Sequence, residues 1–523
     1  LARSAEAMVR RRKVSEVEYH EEDGMGRLGK DKDEEKQLGG ADSLMEVVVG
    51  DGRAFWLLVL LYAAQGAPLG ITMGSLSFLL KKSFSFSSMG LFSIAMYPYS
   101  LKVLWAPLVD AFFVPVFGRR KTWIVPMQTI SGLIMIALSY YTPLIVLVDG
   151  PHPHSADSLA SLPPGAASMT TLVAVFFVLV VVTATQDIAV DGWALTRLAP
   201  RNRSYASTCQ SIGLNIGFFV SFTVFLALHS PEFCNAYLRS SLTADPHYGL
   251  WTLSGYLFFV GMAYLAVTAV LVLFVTEDDD PEGAASVGAS GMAAAMDIYR
   301  VFLALAKSRN FLRLVAVLLL VKIGFVADDA ITPLKLMEAG FKTEDLALVA
   351  VIAFPFSIVF AMLAGRWASG LNPFRLFVVA WLVRIGLVFV DGAVVAYYPL
   401  LSQPDGSAGT ALYVLVVLLS LVSSLASSFM FVVMCGWFAR IADPRVGGTI
   451  LTALNTLSNL GGTWPKPIAM AGVDMLSIPG LVDGYYVVLF GSALAALAIF
   501  FAFLRPQLYS LSALSPDSWR VNM

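Results

Sequence analysis

The chain has 523 residues, of which 57% are hydrophobic and only 14% charged, with a formal net charge of −2. Its mean hydropathy is +0.72. A soluble domain is nearer a quarter charged, so the composition excludes an ordinary soluble globular protein and the near-neutral balance argues against nucleic acid as a partner. Three cysteines, Cys209, Cys234 and Cys435, are too few for a disulfide framework.

Residues 1–53 mix bases, as in "VRRRK", with acids, as in "KDKDEEK". They read as a disordered, solvated cytosolic tail without the apolar core of a signal peptide. Twelve apolar segments follow, each near the roughly 20 residues that cross a bilayer. Segments 1 to 6 fall near 54–80, 86–109, 122–148, 169–195, 205–229 and 251–275, within an N-terminal half 54–275. A polar linker, 276–309, carries "TEDDDPEG". Segments 7 to 12 fall near 310–335, 343–365, 375–398, 410–438, 448–472 and 484–505, making a C-terminal half 310–505 ahead of a tail at 506–523.

Bases in short loops set orientation. One set of loops holds Arg119, Arg120, Lys121, Arg197, Arg201, Arg203, Lys307, Arg309, Arg366, Arg440 and Arg445; the alternate set holds only Lys81, Lys82, Arg239 and Lys342. The first set is expected in the cytosol, together with both tails and the linker.

The halves repeat. "GWALTRLAPRNRSYASTCQSIGLNIG" from Gly192 lies on "GWFARIADPRVGGTILTALNTLSNLG" from Gly436 without a gap. Gly192/Gly436, Trp193/Trp437, Pro200/Pro444, Arg201/Arg445, Thr208/Thr452, Asn215/Asn459 and Gly217/Gly461 coincide. Segments 4–5 and 10–11 are therefore equivalent. An all-α membrane protein of twelve helices in two parallel six-helix halves has the major facilitator fold, which alternates access by rocking one half on the other.

Ionisable groups inside a bilayer are costly and face a cavity or one another. Here they are Lys102 in segment 2, Asp187 and Asp191 in segment 4, Lys322, Asp328 and Asp329 in segment 7, Arg384 and Asp391 in segment 9, and Lys466 in segment 11. Asp187 and Asp191, four residues apart, share a helical face and need a basic partner or a proton. Asp110 with Arg119, Arg120 and Lys121 ends segment 2, and Asp187 and Asp191 with Arg197 end segment 4. Ion pairs between these ends would close the cytosolic mouth and break when it opens. Binding of substrate or a proton by Asp187, or acids merely reaching the interface, are the alternatives. "FGRRKTW" after "APLVDAF" resembles the loop-2/3 signature of the major facilitator superfamily.

Lys102, Lys322, Arg384 and Lys466 come from both halves and suit an anionic substrate. Lys102 has snorkelling as its alternative, and Lys322 has pairing with Asp328. Gly461, Gly462, Pro465 and Pro467 are expected to interrupt segment 11 at Lys466, and Gly66, Pro68 and Gly70 to bend segment 1. Broken backbone at membrane depth is tolerated mainly where it lines a cavity. Gln65 and Gln128 either bond a polar substrate or bond neighbouring helices. Five histidines show no metal-ligand spacing and no glycine loop cradles phosphate, so neither metal, cofactor nor ATP hydrolysis is expected. A membrane acyltransferase would need a nucleophile with a base, and Cys209 and Cys435 have no clear base nearby in sequence. No enzyme is expected.

"LKVLWAPLVDAFFVPVFGRRKTWIVPMQ", "ATQDIAVDGWALT", "YASTCQSIG", "VKIGFVADDAIT", "DPRVGGTILTALNTLSNLGGTWP" and "DGYYV" resemble the acetyl-coenzyme A transporter family, solute carrier family 33, along about 54–505. The resemblance implies a transporter of the endoplasmic reticulum membrane that moves cytosolic acetyl-CoA into the lumen, with free CoA as an exchange partner. "QDIAVD" and the GRR loop also resemble the bacterial muropeptide permeases. Animal members carry a cysteine-rich lumenal insertion where this chain has only "VDMLSIPGLVDG". A proton-coupled permease, or an exchanger of another large anion such as glutathione disulfide or a sugar-peptide, is the alternative. A homodimer stays open.

Overall fold

The computed structural model describes residues 50–149, 167–199, 205–240, 248–277, 291–342, 373–402, 409–441 and 447–519, with short stretches between them. The first tail up to 49, the linker stretch 278–290, much of segment 8 and the loop bases Arg201, Arg203, Arg366 and Arg445 lie outside the described residues.

Hydrocarbon offers the backbone no hydrogen bonds, so each spanning stretch satisfies its own N–H and C=O groups as a helix. The described residues form helices and no strand, apart from one isolated bridge between Ile478 and Val482. Among the described residues, eight helices are long and apolar enough to cross a membrane: Gly52–Lys81, Lys121–Ser139, Met169–Ala194, Ala206–His229, Leu253–Phe274, Phe374–Leu401, Thr410–Phe438 and Gly484–Ser512. They are segments 1, 3, 4, 5, 6, 9, 10 and 12. Several start at side-chain caps, where Ser168, Thr252 and Asp483 accept backbone N–H groups of the first turn.

Segments 2, 7 and 11 are interrupted instead. Segment 2 runs as Phe86–Ser93, Tyr97–Leu101 and Ala106–Ala111, joined by tight turns at Ile94–Met96 and Lys102–Leu104. Segment 7 is Arg309–Leu320 and Ile323–Ala339. Segment 11 is Gly447–Thr463 and Pro465–Leu476, broken at the proline where the break is expected. Segment 1 contains Pro68 and then widens to a π-type turn over Ile71–Ser75, at the expected bend.

Two helical stretches lie outside the twelve apolar segments. The linker contains a helix, Gly291–Lys307, which packs on Ala106–Ala111. Segment 12 does not stop at 505 but continues through Arg505–Ser512. The extension buries Leu508 and Leu511, and Arg313 of segment 7 donates to Gln507 Oε1 (2.6 Å) and Ser510 Oγ (2.7 Å). Its polar residues face those donors, which hides it from a reading based on hydropathy.

Within the first half, segment 1 lies tightly on segment 5. A Cβ on Gly217 would come 2.0 Å from the Ala63 carbonyl oxygen, and one on Gly66 would come 2.4 Å from that of Leu214. Small residues let helices approach closely where lipid supplies no hydrophobic drive. The repeat partners Trp193 and Trp437 are both buried near the ends of segments 4 and 10. The halves meet chiefly along segments 2 and 11, where Gly90 faces Pro467 and Met470 and Ser100 bonds Thr463 at 3.0 Å.

Candidate functional site

Each interrupted segment carries a lysine at its break: Lys102, Lys322 and Lys466. Breaking a helix frees backbone carbonyls, which must find other donors. Around Lys322 the donors are indoles. Trp381 Nε1 donates to Val321 O at 2.7 Å and Trp464 Nε1 to Leu319 O at 2.9 Å. In segment 11, Tyr97 OH of the other half donates to Trp464 O at 3.2 Å. The breaks are thus held open by named side chains.

Two adjoining cavities lie at these breaks. One, of about 310 Å³, is walled by segments 7, 9, 10 and 11, with Phe325, Met430, Phe431 and Met434 as apolar lining and Lys322, Asp329 and Lys466 as charges. The other, of about 110 Å³, lies between the halves, with Thr72 and Met73 of segment 1, Phe92 and Met96 of segment 2, and Pro333 of segment 7. Asp329 and Lys466 line both. Apolar walls with a few convergent polar groups are what small-molecule sites present.

The basic residues differ in their freedom. Lys466 makes no hydrogen bond or ion pair among the described residues and is half-buried at the junction of the cavities. Lys322 Nζ donates to Ser458 O at 2.8 Å. It does not pair with Asp328, which accepts from Thr332 Oγ1 at 2.7 Å, with Tyr485 OH 2.9 Å from that hydroxyl. Arg384 is 1% exposed, lies over the Phe325 ring, and donates to Asp329 and Ser423. Expected as a substrate contact, Arg384 is engaged by Asp329 and Ser423 and lines neither cavity. Asp329 is the residue that Arg384 positions in the cavity wall.

Lys102 is neither a free anion contact nor a snorkelling side chain. It is buried and pairs with Asp187, and its Nζ lies 3.3 Å from Asp191 Oδ2. Asp191 Oδ1 also accepts from Tyr62 OH at 2.8 Å and Gln210 Nε2 at 2.9 Å. Segments 1, 2, 4 and 5 converge on this cluster. The Trp105 indole fixes the Lys102 turn by donating to Thr185 Oγ1 at 3.1 Å. Gln128 accepts from Thr268 Oγ1 of segment 6 at 3.1 Å, the neighbouring-helix alternative. Gln65 is fully buried, and neither glutamine lines the cavities.

Among the described residues, the basic side chains at the ends of segments 2 and 4 reach partners other than the expected Asp187 and Asp191. Arg120 pairs with Asp110, and its guanidinium lies against Gly192. Arg119 donates to Asp110 O, and Lys121 Nζ to Val275 O at 2.8 Å. Arg197 donates to Thr276 O at 3.2 Å, and its guanidinium centre lies 5.8 Å from the Trp193 ring centre. Glu277, missed in the sequence, accepts the backbone N–H groups of Arg120 and Lys121. These contacts tie the first half to itself and to the start of the linker, at Thr276 and Glu277.

The ion pair joining the halves, among the described residues, lies at the opposite end. Lys81 ends segment 1 and pairs with Glu338, which ends segment 7. Lys335 bridges Glu338 (3.1 Å) to Asp483 (2.7 Å), and Lys81 Nζ sits 4.1 Å above the Phe86 ring. Ser87 N donates to Asp474 Oδ2 at 2.6 Å beside them. Sequence showed Lys81 as a loop base, but nothing in it paired residues 257 positions apart. Glu338→Gln is expected to weaken this closure by about 1 kcal/mol, about a fivefold shift in population. A cysteine at Thr72, in the cavity between the halves, should then be labelled about fivefold faster by an impermeant maleimide added from that end. Unchanged labelling would remove the lock.

The profile described as acetyl-coenzyme A transporter 1 matches residues 54–288, 285–376 and 374–482. An uncharacterized membrane protein of Saccharomyces cerevisiae is 34% identical over 554 aligned residues, covering 89% of this chain and 97% of its own. An uncharacterized protein of Schizosaccharomyces pombe is 33% identical, covering 90% and 89%. The anhydromuropeptide permease of Escherichia coli is 27% identical over only 32% of this chain and 29% of its own. Among solved structures, the nucleoside transporter NupG aligns with a TM-score of 0.57 at 14% identity, covering 88% of this chain and all of that one. A D-xylose–proton symporter aligns at 0.54 and 13% identity, covering 86% and 97%. Such likeness speaks to the fold alone.

Proposed function

This chain belongs to the acetyl-coenzyme A transporter family of the major facilitator superfamily, and from that premise we propose that it carries acetyl-CoA across its membrane by alternating access. It is a multi-pass transporter and not an enzyme. The finer reading is movement from cytosol to endoplasmic reticulum lumen, in exchange for CoA, with the arginine-rich loops and the termini in the cytosol.

The observation that carries this reading is Lys466. It stands where the two cavities meet, between the halves, with no anionic partner among the described residues. Acetyl-CoA brings several phosphate charges and a long, mostly neutral arm. Lys466 and Lys322 supply donors for phosphate, and the Met430, Met434 and Phe325 wall supplies adaptable apolar surface for the arm. The Lys81–Glu338 pair ties the halves at one end, which supports a carrier that closes there while it exchanges solute at the other. Rocking the second half about segments 2 and 11 then exposes the same site on the opposite side.

Equilibrium binding of labelled acetyl-CoA to the purified chain tests the substrate. Acetyl-CoA and CoA should compete with each other, and uncharged pantetheine should compete far more weakly. Equal competition by pantetheine would take the phosphate contacts, and with them this reading of the cavity, away. Stronger competition by glutathione disulfide would move the assignment to that anion.

A further inference from the structure

We propose that the buried Asp187–Lys102–Asp191 cluster binds one proton and carries it through the transport cycle. This goes beyond the substrate reading and needs only that the chain is a transporter.

The charges do not cancel. One ammonium faces two carboxylates, leaving the group one negative charge in excess at membrane depth, where an uncompensated charge is costly. Asp187 is 0% exposed, and its Oδ1 has no hydrogen-bond partner among the described residues. Gln65 is also 0% exposed, and neither its Oε1 nor its Nε2 has one. The antiparallel register of segments 1 and 4 puts these orphans at one level. Tyr62 meets Asp191 one turn before Gln65, and Leu69 packs with Val180 one turn after it. That register places Gln65 on the same face of segment 1, within about a turn of the level of Asp187.

A proton on Asp187 Oδ1 would donate to the Gln65 carbonyl oxygen. One binding event then satisfies two buried oxygens and removes the excess charge. Asp191, whose side chain is 36% exposed, is the entry point from solvent. The step is simple in its balance. Water delivers the proton to a carboxylate, the carboxyl holds it, and it leaves to water on the other side. No other covalent bond changes.

The groups facing the cluster are accounted for. Segment 1 brings Tyr62, and segment 2 brings Lys102 and Tyr99, whose ring centre lies 5.2 Å from the ammonium. Segment 5 brings Gln210 and, on the same packed face, the buried thiol of Cys209. Arg120 lies across Gly192, but its charge is matched by Asp110. A metal ion fits the site less well, since no group of three or more His, Cys, Asp or Glu side chains gathers among the described residues. In the register that places Gly192 on Gly436, Asp187 falls on Phe431 and Asp191 on Cys435. The second half lacks both carboxylates there, so the site is single.

Infrared difference spectra between acidic and neutral buffer read the proton directly, without substrate. Wild type and Asp328→Asn should show the C=O band of a protonated carboxyl, and Asp187→Asn should lose it. In Gln65→Leu the band should survive but require more acidic buffer, because the acceptor for the proton is gone. Persistence of the full band in Asp187→Asn, its loss only in Asp328→Asn, or a response to sodium at fixed pH would each overturn the proposal. Where acetyl-CoA uptake is measurable, its apparent affinity should change by about tenfold per pH unit over the range in which one proton is taken up with substrate. The same dependence in Asp187→Asn would contradict coupling at this site. The spectra stand even if acetyl-CoA proves not to be the substrate.

Discussion

Replacing Lys466 with glutamine is expected to lower the affinity for acetyl-CoA by about tenfold to a hundredfold, the loss of one charge-assisted hydrogen bond of about 1.5–3 kcal/mol. Thermal stability should hardly change, because Lys466 makes no ion pair among the described residues and its removal strands no buried carboxylate. Asp329 keeps Arg384 as its partner. Lys466→Arg should retain most of the affinity, since it keeps the charge at the junction of the two cavities. Pantetheine binding should be indifferent to either change. Titration of each ligand against the three proteins checks this, and an unaltered acetyl-CoA affinity in Lys466→Gln would remove the residue from the site.

Lys102 should behave in the opposite way. Lys102→Met leaves Asp187 fully buried and opposite Asp191 with no cation between them. Breaking a buried pair by removing one partner costs about 3–5 kcal/mol, so this variant should unfold at markedly lower temperature. Lys102→Met combined with Asp187→Leu should recover much of the loss, because the stranded charge is then gone. A direct substrate contact predicts another pattern, in which Lys102→Met folds normally and only binding suffers. Thermal unfolding of the single and double variants separates the two.

These two lysines show how far the sequence could be read. Both were visible as cations at membrane depth, and both suggested an anion site. Only packing distinguishes them. Lys102 meets Asp187 85 positions away because segments 2 and 4 converge, whereas Lys466 meets a cavity. Hydropathy and the repeat from Gly192 and Gly436 were enough for the helical membrane architecture, since the bilayer admits few alternatives. The break in segment 11 was legible because Pro465 cannot continue a helix. The break in segment 7 was not, because neither proline nor glycine marks Val321 and Lys322, and the indoles that stabilise it come from Trp381 and Trp464. Asp329 was seen as a charge but not as a residue that, with Lys466, lines both cavities. Tyr62 and Gln210 carried no signal, being ordinary residues of apolar helices whose role appears only when Asp191 is placed between them.

The cross-half lock follows the same rule. Lys81, Glu338, Lys335 and Asp483 are unremarkable charges at segment ends until segments 1, 7 and 12 are brought together. With the halves tied at that end, the central cavities lie between it and the breaks in segments 7 and 11.

The most direct test of the account is uptake of labelled acetyl-CoA into proteoliposomes containing the purified chain, preloaded with CoA or left empty. The account predicts uptake that is faster into CoA-loaded vesicles and that falls with Lys466→Gln. No uptake into either kind of vesicle by demonstrably folded protein would contradict it.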